Sequence, residues 1–369
     1  MRLIIYKYRI YPNKQQEVMF NKHIGCKRKV YNLLLDINNT YYKDNKKFLS
    51  KFDLINRIIP LKEEYNFLKE VNSQTLNEAA NNLRDALTRF RKKQNNYPKF
   101  KSKRNDRSFT IPQHFKLDIS SHYKTKLYTP KIGWIKLHYH RPIPEGSKLR
   151  KVTISKLVDG SWMASILMED PTPINKKKSN KRVGIDLGIK KYITFNDGSS
   201  IDNPKYYENN LNKLSKLQSQ LKKKQNKGFK GTKIKRKLNK LHLSITNKME
   251  DFLHKVSNRI IEENQTIIIE DLDIKGMLTK YKSDKKLHRY IQYACWYKFR
   301  TFIAYKAGWY DRELIVADRY YASSKLCSNC HSKDNNITLN DRTYHCKQCG
   351  NQMDRDHNAA INLYNYNKV

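Results

Sequence analysis

Acidic side chains are scarce in this chain, and no hydrophobic run is long enough to span a bilayer. Aspartate and glutamate total 34 against 75 lysines and arginines, which gives 369 residues a formal net charge of +41. A field this positive favours a polyanionic partner, because each neutralised phosphate releases counterions. The missing apolar run argues against a membrane helix, and the strand-like start lacks the apolar core of a secretory signal. We therefore expect a soluble intracellular protein.

The composition excludes a disordered basic tail. Hydrophobic residues make up 38% of the chain and aromatic residues 11%, enough for real cores in two or three domains. Basic residues are spread along the chain and interleaved with aromatic ones, as in residues 97–104. A membrane-surface binder would instead concentrate its charge on one amphipathic helix. The charge therefore favours nucleic acid over lipid.

Cysteine is also rare, and four of the six cysteines form two CxxC pairs. Cys327, Cys330, Cys346 and Cys349 leave a gap of residues 331–345, which suits a zinc ribbon with four thiolate ligands. Disulfides are the alternative, but they are disfavoured in an intracellular chain. The pattern Cys327-x-x-Cys330-His331 also matches c-type haem attachment, which would leave the second pair unexplained. We predict one structural zinc ion.

Hydrophobic patterning indicates a mixed α+β chain with several parts. A first strand precedes Pro12, and helical signals with an Asn13 cap continue to about residue 93. Short alternating segments from 108 to 169, with an Asp159-Gly160 turn, predict a β module that the first strand completes. Residues 207–257 then read as a lysine-rich helical hairpin, whose first arm carries an apolar stripe at Leu211, Leu214, Leu217 and Leu221. The two CxxC pairs and a short helix, for which Asp354 reads as the N-cap, follow later in the sequence.

Three carboxylates occupy positions that suit metal chemistry. Asp186 and Glu270 lie at the ends of apolar strands. Asp356 lies on the same helical stripe as several small apolar residues, which predicts that its side chain points inward. Each alone could be structural, as a turn residue or an ion-pair partner. Together the order strand-Asp, helical insert, strand-Glu and helix-Asp is that of a ribonuclease-H-like nuclease core. Three convergent carboxylates predict Mg²⁺, with two ions serving in-line phosphodiester hydrolysis.

Several motifs resemble one family. They are Gly184-Ile185-Asp186-Leu187-Gly188, Ile269-Glu270-Asp271-Leu272, Ser323-Ser324-Lys325 before the first CxxC, and Asp354-Arg355-Asp356-x-Asn358-Ala359-Ala360-x-Asn362. Residues 97–101, 108–110 and 133–135 extend the similarity over essentially the whole chain. The set resembles the TnpB (OrfB) proteins of bacterial insertion sequences, which are similar to compact type V CRISPR effectors. One departure is His331, where the family usually has glycine. It affects the turn of the first zinc knuckle, the loop formed by the first CxxC pair.

The resemblance implies a multidomain α+β fold. A wedge β-barrel would hold an inserted helical recognition domain, and a RuvC domain, which is ribonuclease-H-like, would carry the zinc ribbon. The implied boundaries are 1–11 for the first barrel strand, 12–104 for the recognition domain, 105–174 for the rest of the barrel, 175–181 for a linker, 182–326 for the first part of RuvC with the basic hairpin, 327–350 for the zinc ribbon and 351–369 for the last RuvC helix.

The resemblance also implies an RNA-guided DNA endonuclease of a transposable element in the bacterial cytoplasm. Its partners would be a guide RNA transcribed near its own gene and double-stranded target DNA, bound by a monomer. The implied catalytic and magnesium-binding residues are Asp186, Glu270 and Asp356. The expected nucleic-acid contacts are Gln74, Lys99, Lys101, Lys103, Arg104, Thr110, Ser323, Ser324 and Lys325.

Other functions remain open at this point. A transposase that acts directly in transposition would fit the same core, and a guided DNA-binding repressor would fit the charge. His138 and His140 on one strand face could also belong to a single-strand transposase with a catalytic tyrosine. That chemistry would leave the acidic triad and the cysteines without a purpose, so a structural role for the two histidines is preferred.

Overall fold

The computed structural model describes residues 2–120, 125–174, 179–228, 230–337 and 341–367. The chain divides into two compact units, residues 1–173 and residues 174–369, here called the amino-terminal and carboxy-terminal units. The division falls beside the linker predicted at 175–181, of which residues 175–178 lie outside the described residues. A search of the described helices for one long and apolar enough to cross a membrane finds none.

A seven-stranded antiparallel sheet forms the centre of the amino-terminal unit. Its order is β2-β6-β7-β1-β5-β4-β3. The strands are β1 (Arg2–Tyr11), β2 (Ser108–Ile111), β3 (Lys116–Asp118), β4 (Lys126–Thr129), β5 (Gly133–His138), β6 (Lys148–Lys156) and β7 (Trp162–Asp170). Alternate residues of β1 and β7 are buried, so one face of each strand packs against the core.

The first strand completes this sheet, as the sequence predicts. β1 pairs with β7 along nearly its whole length and with β5 at its end. The hairpin predicted at Asp159-Gly160 is also confirmed, since β6 and β7 pair around that turn. The expected wedge β-barrel is present only in part, because the edge strands β2 and β3 of the described residues do not pair with each other. The sheet is a curled half-barrel.

Helices occupy the chain between β1 and β2. They are α1 (Lys14–Asn45), α2 (Lys51–Asn56), α3 (Ile58–Glu64) and α4 (Ser73–Arg91). Asn13 caps α1 in a capping box with Gln16, which confirms the predicted start. Leu76, Ala79 and Leu83 of α4 are buried in the core that this helix shares with α1.

The carboxy-terminal unit contains a five-stranded mixed sheet in the order β10-β9-β8-β11-β12. Its strands are β8 (Arg182–Leu187), β9 (Lys191–Phe195), β10 (Ser200–Asp202), β11 (Thr266–Glu270) and β12 (Glu313–Ala317). β8, β9 and β10 form an antiparallel meander, whereas β8, β11 and β12 are parallel. The carboxyl ends of β8, β11 and β12 therefore meet at one edge of the sheet.

Helices connect and cover these strands. They are α5 (Leu211–Asn226), α6 (Thr232–Glu263), α7 (Ile274–Lys280), α8 (Lys285–Ala294) and α9 (Trp296–Tyr310). The predicted hairpin is present, but α6 runs to Glu263, beyond the expected end at 257. Of the four leucines predicted to stripe α5, only Leu214 is buried. α6 and α9 supply most of the helical side of the core.

A short hairpin and a last helix end the described chain. The strands β13 (Thr343–His345) and β14 (Gln352–Asp354) pair antiparallel, and the second CxxC pair lies at their turn. β14 leads directly into α10 (Arg355–Tyr364). Asp354 caps that helix through the amides of Asp356 and His357, as predicted from the sequence.

Candidate functional site

Two of the predicted carboxylates lie side by side at the carboxyl edge of the parallel strands. Ile185 of β8 is opposite Ile269 of β11. Asp186 and Glu270 follow these residues by one position, so in a parallel pair they point to the same face. Both are half-buried. The strand register alone therefore brings together two acidic residues that are distant in sequence.

The third carboxylate reaches this face because α10 packs very closely on β8. A Cβ atom on Gly184 would lie 2.3 Å from the Ala360 carbonyl oxygen and 2.4 Å from the Tyr364 nitrogen. Asp186 is two residues after Gly184 on the strand, about 6.6 Å further along. Asp356 is four residues before Ala360 on the helix, a displacement of about 6 Å. The matched spacings carry Asp356 towards Asp186.

The charges of Glu270 and Asp356 both act on Asp186, so the three carboxylates are near one another. Burial, followed by the charges of Glu270 and Asp356, raises the pKa of Asp186 well above its ordinary value, and Arg355 acts against this rise. Burial also raises the pKa of Glu270, with a further contribution from Asp271. Carboxylates that share a site in this way cannot all ionise easily unless a cation compensates them. A divalent cation would supply that compensation, although among the described residues only the four cysteines bring three or more donor atoms within 4.8 Å of one another.

Two arginines hold Asp271, the carboxylate that follows Glu270 in the chain. Arg319, just after β12, lies 2.8 Å from one carboxylate oxygen, and Arg300 of α9 pairs with the other. Burial alone would raise the pKa of Asp271, but the hydrogen bonds from Arg300 and Arg319 lower it. The segment that follows Glu270 is thus tied to α9 and to the end of β12. The sequence gives no sign of this clamp, since its members are distant in the chain.

The four predicted zinc ligands form one cluster. Their four Sγ atoms all lie within 4.8 Å of one another. The Sγ atoms of Cys327 and Cys349 are 3.6 Å apart, as are those of Cys330 and Cys346. A tetrahedral zinc ion with bonds of 2.3 Å requires sulfur–sulfur distances of about 3.8 Å. A disulfide would require about 2.05 Å, so the arrangement fits zinc.

The protonation of these thiols also favours a bound cation. A hydrogen bond from Ser332 lowers the pKa of Cys346 to about 6. Although the Asn351 amide favours its thiolate, burial and the neighbouring sulfurs raise the pKa of Cys349 to about 11. Four adjacent thiolates therefore do not form together at neutral pH unless a positive ion compensates them. Zinc supplies that charge when it is bound.

Two asparagines connect the cysteine cluster to the helix that carries Asp356. Asn358 accepts a 2.9 Å hydrogen bond from the Ser328 amide and donates one of 2.6 Å to the Leu326 carbonyl. Asn362 donates to the carbonyls of Ser323 and Leu326 at 2.8 and 2.7 Å. Both side chains are buried. The sequence shows the asparagines in the motif but not this function, which depends on the fold.

The predicted nucleic-acid contacts of the amino-terminal unit differ in exposure. Lys99, Lys103 and Arg104 are exposed. Lys101 is half-buried, with its ammonium 3.8 Å from the centre of the Tyr31 ring, and burial lowers its pKa. The remaining two, Gln74 and Thr110, are half-buried at the start of α4 and on β2. That these six residues contact nucleic acid remains a prediction.

The contacts predicted before the first CxxC pair also differ. Ser323 is only 2% exposed, and its carbonyl accepts a bond from Asn362, so its side chain faces the interior. Ser324 is exposed, and Lys325 is half-buried with its ammonium 3.4 Å from the Asn335 carbonyl. Of these three, Ser324 has the most accessible side chain.

Gly184→Ala should lower the free energy of unfolding by roughly 1–3 kcal/mol, because the added methyl group overlaps the backbone of α10. Gly308→Ala is the matched control, since no atom lies within 4 Å of a Cβ there and it sits in helix α9. That control should raise stability by up to about 1 kcal/mol. Denaturant unfolding of both variants measures the difference, and equal effects would contradict close packing at Gly184.

Asp186→Asn should raise the free energy of unfolding by roughly 0.5–2 kcal/mol in buffer without Mg²⁺ at neutral pH. The pKa of Asp186 is higher in the fold than in the unfolded chain, so its ionised form opposes folding above the folded pKa. Lowering the pH through that value should therefore recover the same stability in the unmodified protein. Asp197→Asn is the control of opposite sign, because a hydrogen bond from Ser199 lowers the pKa of Asp197. A loss of stability in both variants would contradict the claim that ionised Asp186 opposes folding.

His331→Gly should strengthen zinc binding. His331 has φ +59° and Gly350 has φ +71° at the equivalent position of the second knuckle, so the histidine adopts a left-handed conformation that glycine adopts at lower cost. We expect a gain below about 1 kcal/mol, measured by zinc competition with a chromophoric chelator. His345→Gly on the extended strand β13 is the control and should weaken binding or leave it unchanged. Weaker zinc binding in His331→Gly would contradict the comparison.

Comparison with known proteins is consistent with these features. An OrfB family model described as a probable transposase matches residues 165–280, a Cas12f1-like TNB domain model matches 296–363, and a helix-turn-helix domain model matches 1–47. In this structure the described part of 1–47 holds β1 and one long helix, α1. A solved Cas12f1 complex with guide RNA and target DNA covers 99% of both chains at 16% identity, with a TM-score of 0.37 that is too low to bear on the fold.

Two curated relatives match over almost the whole length. A Streptomyces pristinaespiralis protein named "Putative RNA-guided DNA endonuclease" is 34% identical over 97% of this chain and 88% of its own. The Escherichia coli K12 protein named "Putative RNA-guided DNA endonuclease InsQ" is 28% identical over 98% of this chain and 92% of its own. "TnpB-like protein L79" of Acanthamoeba polyphaga mimivirus is 31% identical over 52% of this chain and 38% of its own. This chain belongs to the TnpB (OrfB) family.

Proposed function

We propose that this protein is an RNA-guided DNA endonuclease of a transposable element. The observation that carries the proposal is the meeting of Asp186, Glu270 and Asp356 at one edge of the five-stranded sheet, in a chain of net charge +41. Near-full-length relatives carry the same function in their names. A site built for divalent cations and a surface built for phosphates are the two requirements of a metal-dependent nuclease.

The domain assignment belongs to this proposal. The strand order β10-β9-β8-β11-β12, an antiparallel meander followed by parallel strands, supports a RuvC domain of the ribonuclease-H type. The cysteine cluster supports a zinc ribbon inserted before its last helix. In the amino-terminal unit, the helices α1–α4 lie in the chain between β1 and β2, which supports a wedge domain with an inserted recognition domain.

The three carboxylates would bind two Mg²⁺ ions. Those ions, when bound, supply the activation of the attacking water and the stabilisation of the leaving 3′ oxygen. Glu270 and Asp186 are held by adjacent parallel strands, so their spacing changes little as the chain moves. Asp356 is held by a capped helix whose packing on Gly184 fixes its position. The clamp on Asp271 places two arginines beside that neighbouring carboxylate and so offsets its charge next to Glu270.

Basic surfaces would bind a guide RNA and double-stranded target DNA. The chain has no acidic residue between Glu208 and Glu250, while the end of α5 and the start of α6 carry exposed lysines, among them Lys222, Lys223 and Lys233. Base pairing supplies the sequence specificity, so the protein needs mainly a channel that holds a heteroduplex by its shape. A monomer bound to one RNA remains a prediction.

RNA copurification tests guidance. The gene is expressed with its native downstream DNA, the protein is purified in high salt, and the bound RNA is sequenced. We expect one abundant species that maps to the 3′ end of the gene itself. A mixture of cellular fragments, or no RNA, would contradict guidance and leave an unguided nuclease or a DNA-binding protein.

Asp186→Ala should leave RNA and target binding intact and lower cutting at least about 10³-fold, because it removes a metal ligand. Cutting is measured in Mg²⁺ on a duplex that matches the guide. Binding of the same duplex is measured separately in Ca²⁺. Asp251→Ala on the exposed face of α6 is the control. Unchanged cutting, or loss of binding as well, would refute the assignment of Asp186. Guided binding without cutting by the unmodified protein would indicate the repressor instead.

A further inference from the structure

The helix α10 contacts two different parts of the carboxy-terminal unit through opposite faces. Each residue turns an α-helix by about 100°, so Asp356 and Ala360 share one face of α10. Asn358 and Asn362 lie on the opposite face. The first face packs on the sheet, where the Ala360 backbone comes close to Gly184 of β8. The second face carries the hydrogen bonds to the chain that leads into the first CxxC pair, so both contacts bear on where Asp356 lies.

The chain on the second face, residues 321–328, has little secondary structure of its own. It consists of turns and one isolated bridge, from Leu326 to Lys333. The Leu326 carbonyl accepts hydrogen bonds from both asparagines, at 2.6 and 2.7 Å, and the Ser328 amide donates to Asn358 at 2.9 Å. Side chains of α10 thus supply the partners that a neighbouring strand supplies in a sheet.

Water cannot replace these hydrogen bonds, because both asparagines are buried. The exposed fraction is 0% for Asn358 and 1% for Asn362. A buried polar group that loses its partner costs free energy, since it leaves one hydrogen bond unmade. A displacement of residues 321–328 is therefore either opposed by these bonds or followed by α10.

The cysteines determine where residues 321–328 lie. Cys327 is part of this segment, between Leu326 and Ser328, and its side chain is fully buried. Its Sγ atom is 3.6 Å from that of Cys349, which belongs to the turn of the hairpin β13–β14. A zinc ion bound by all four sulfurs joins the segment to that hairpin, and such structural sites contribute directly to folding.

We propose that Asn358 and Asn362 are positioning residues that make the placement of Asp356 depend on zinc at the cysteine cluster. With zinc bound, residues 321–328 are fixed and the asparagines hold α10 against β8. Without zinc the segment loosens, and α10 loses its contacts on one face. Coupling between two binding sites is reciprocal, so zinc and a divalent cation at the carboxylates should strengthen each other's binding by the same factor. The inference rests on the proposed function, because it takes Asp356 to be a ligand of that cation.

Hydrogen exchange of the α10 amides tests this coupling without guide RNA or cutting. The full chain is compared with zinc bound and after removal of zinc by a chelator, in reducing buffer without Mg²⁺. We expect removal of zinc to speed exchange in α10 about fivefold or more, as for typical coupling between sites. In Asn358→Ala the helix should exchange fast in both states, so the effect of zinc should fall below about twofold.

Asn264→Ala is the matched control. Asn264 is also buried in the carboxy-terminal unit, but its side chain donates at 3.0 Å to the Ile260 carbonyl of α6, the helix that it follows. This variant should retain the full effect of zinc on α10. Protection of β11 in the same samples shows whether each variant is folded. If Asn358→Ala loses that protection, Asn362→Ser replaces it, because this variant removes one amide and retains a small polar side chain.

Two outcomes of the exchange experiment would overturn the proposal. One is exchange in α10 that does not respond to zinc in the unmodified protein. The other is an effect of zinc that persists undiminished in Asn358→Ala. The coupling would then run through β14, which continues directly into α10 at Asp354 and does not need the asparagines.

Binding of Mn²⁺ to the carboxylates gives a second readout. Free Mn²⁺ is followed by electron paramagnetic resonance, with Asp186→Ala as the blank. Removal of zinc should weaken Mn²⁺ binding about fivefold or more in the unmodified protein and less than about twofold in Asn358→Ala. Equal Mn²⁺ binding by the unmodified protein and Asp186→Ala would contradict the proposed function. Hydrogen exchange would still decide whether the asparagines couple α10 to the cysteines.

Discussion

The close approach of α10 to β8 at Gly184 is the constraint on which the carboxylate site depends. Two carboxylates come from neighbouring parallel strands and need only the strand register. The third must come from a helix, and a helix with ordinary side chains beneath it would lie too far from the sheet. The missing side chain at Gly184 and the small residues of α10 remove that obstacle. Electrostatic repulsion among the carboxylates is the cost of this arrangement.

Patterns that act locally were predictable from the sequence. Asn13 with Gln16, the Asp159-Gly160 turn and the Asp354 cap each depend on a few neighbouring residues, and all are present in the structure. The cysteine cluster was predictable because ligand spacing is set by zinc geometry. The order of strands and carboxylates pointed to the triad, although its assembly depends on register and helix packing that no single segment contains.

Features that depend on long-range packing were not predictable. Lys101 and Ser323 belong to polar motifs, yet the fold buries part or all of their side chains. The leucines of α5 have helical spacing, but only Leu214 is buried. Whether such a stripe is buried depends on which other element packs against it. The same holds for the clamp on Asp271, whose arginines come from separate elements. In each case the sequence gives the residue type, and only the tertiary structure gives its neighbours.

The hairpin of the cysteine cluster continues into α10 without a linker. Asp354 is at once the last residue of β14 and the cap of the helix, and Asp356 follows two residues later. Each residue of an α-helix turns the chain by about 100°. One inserted or deleted residue between the cap and Asp356 would therefore rotate the carboxylate away from the sheet, whereas many substitutions would leave its direction unchanged. At this junction the length of the chain, more than its composition, is what natural variation must preserve.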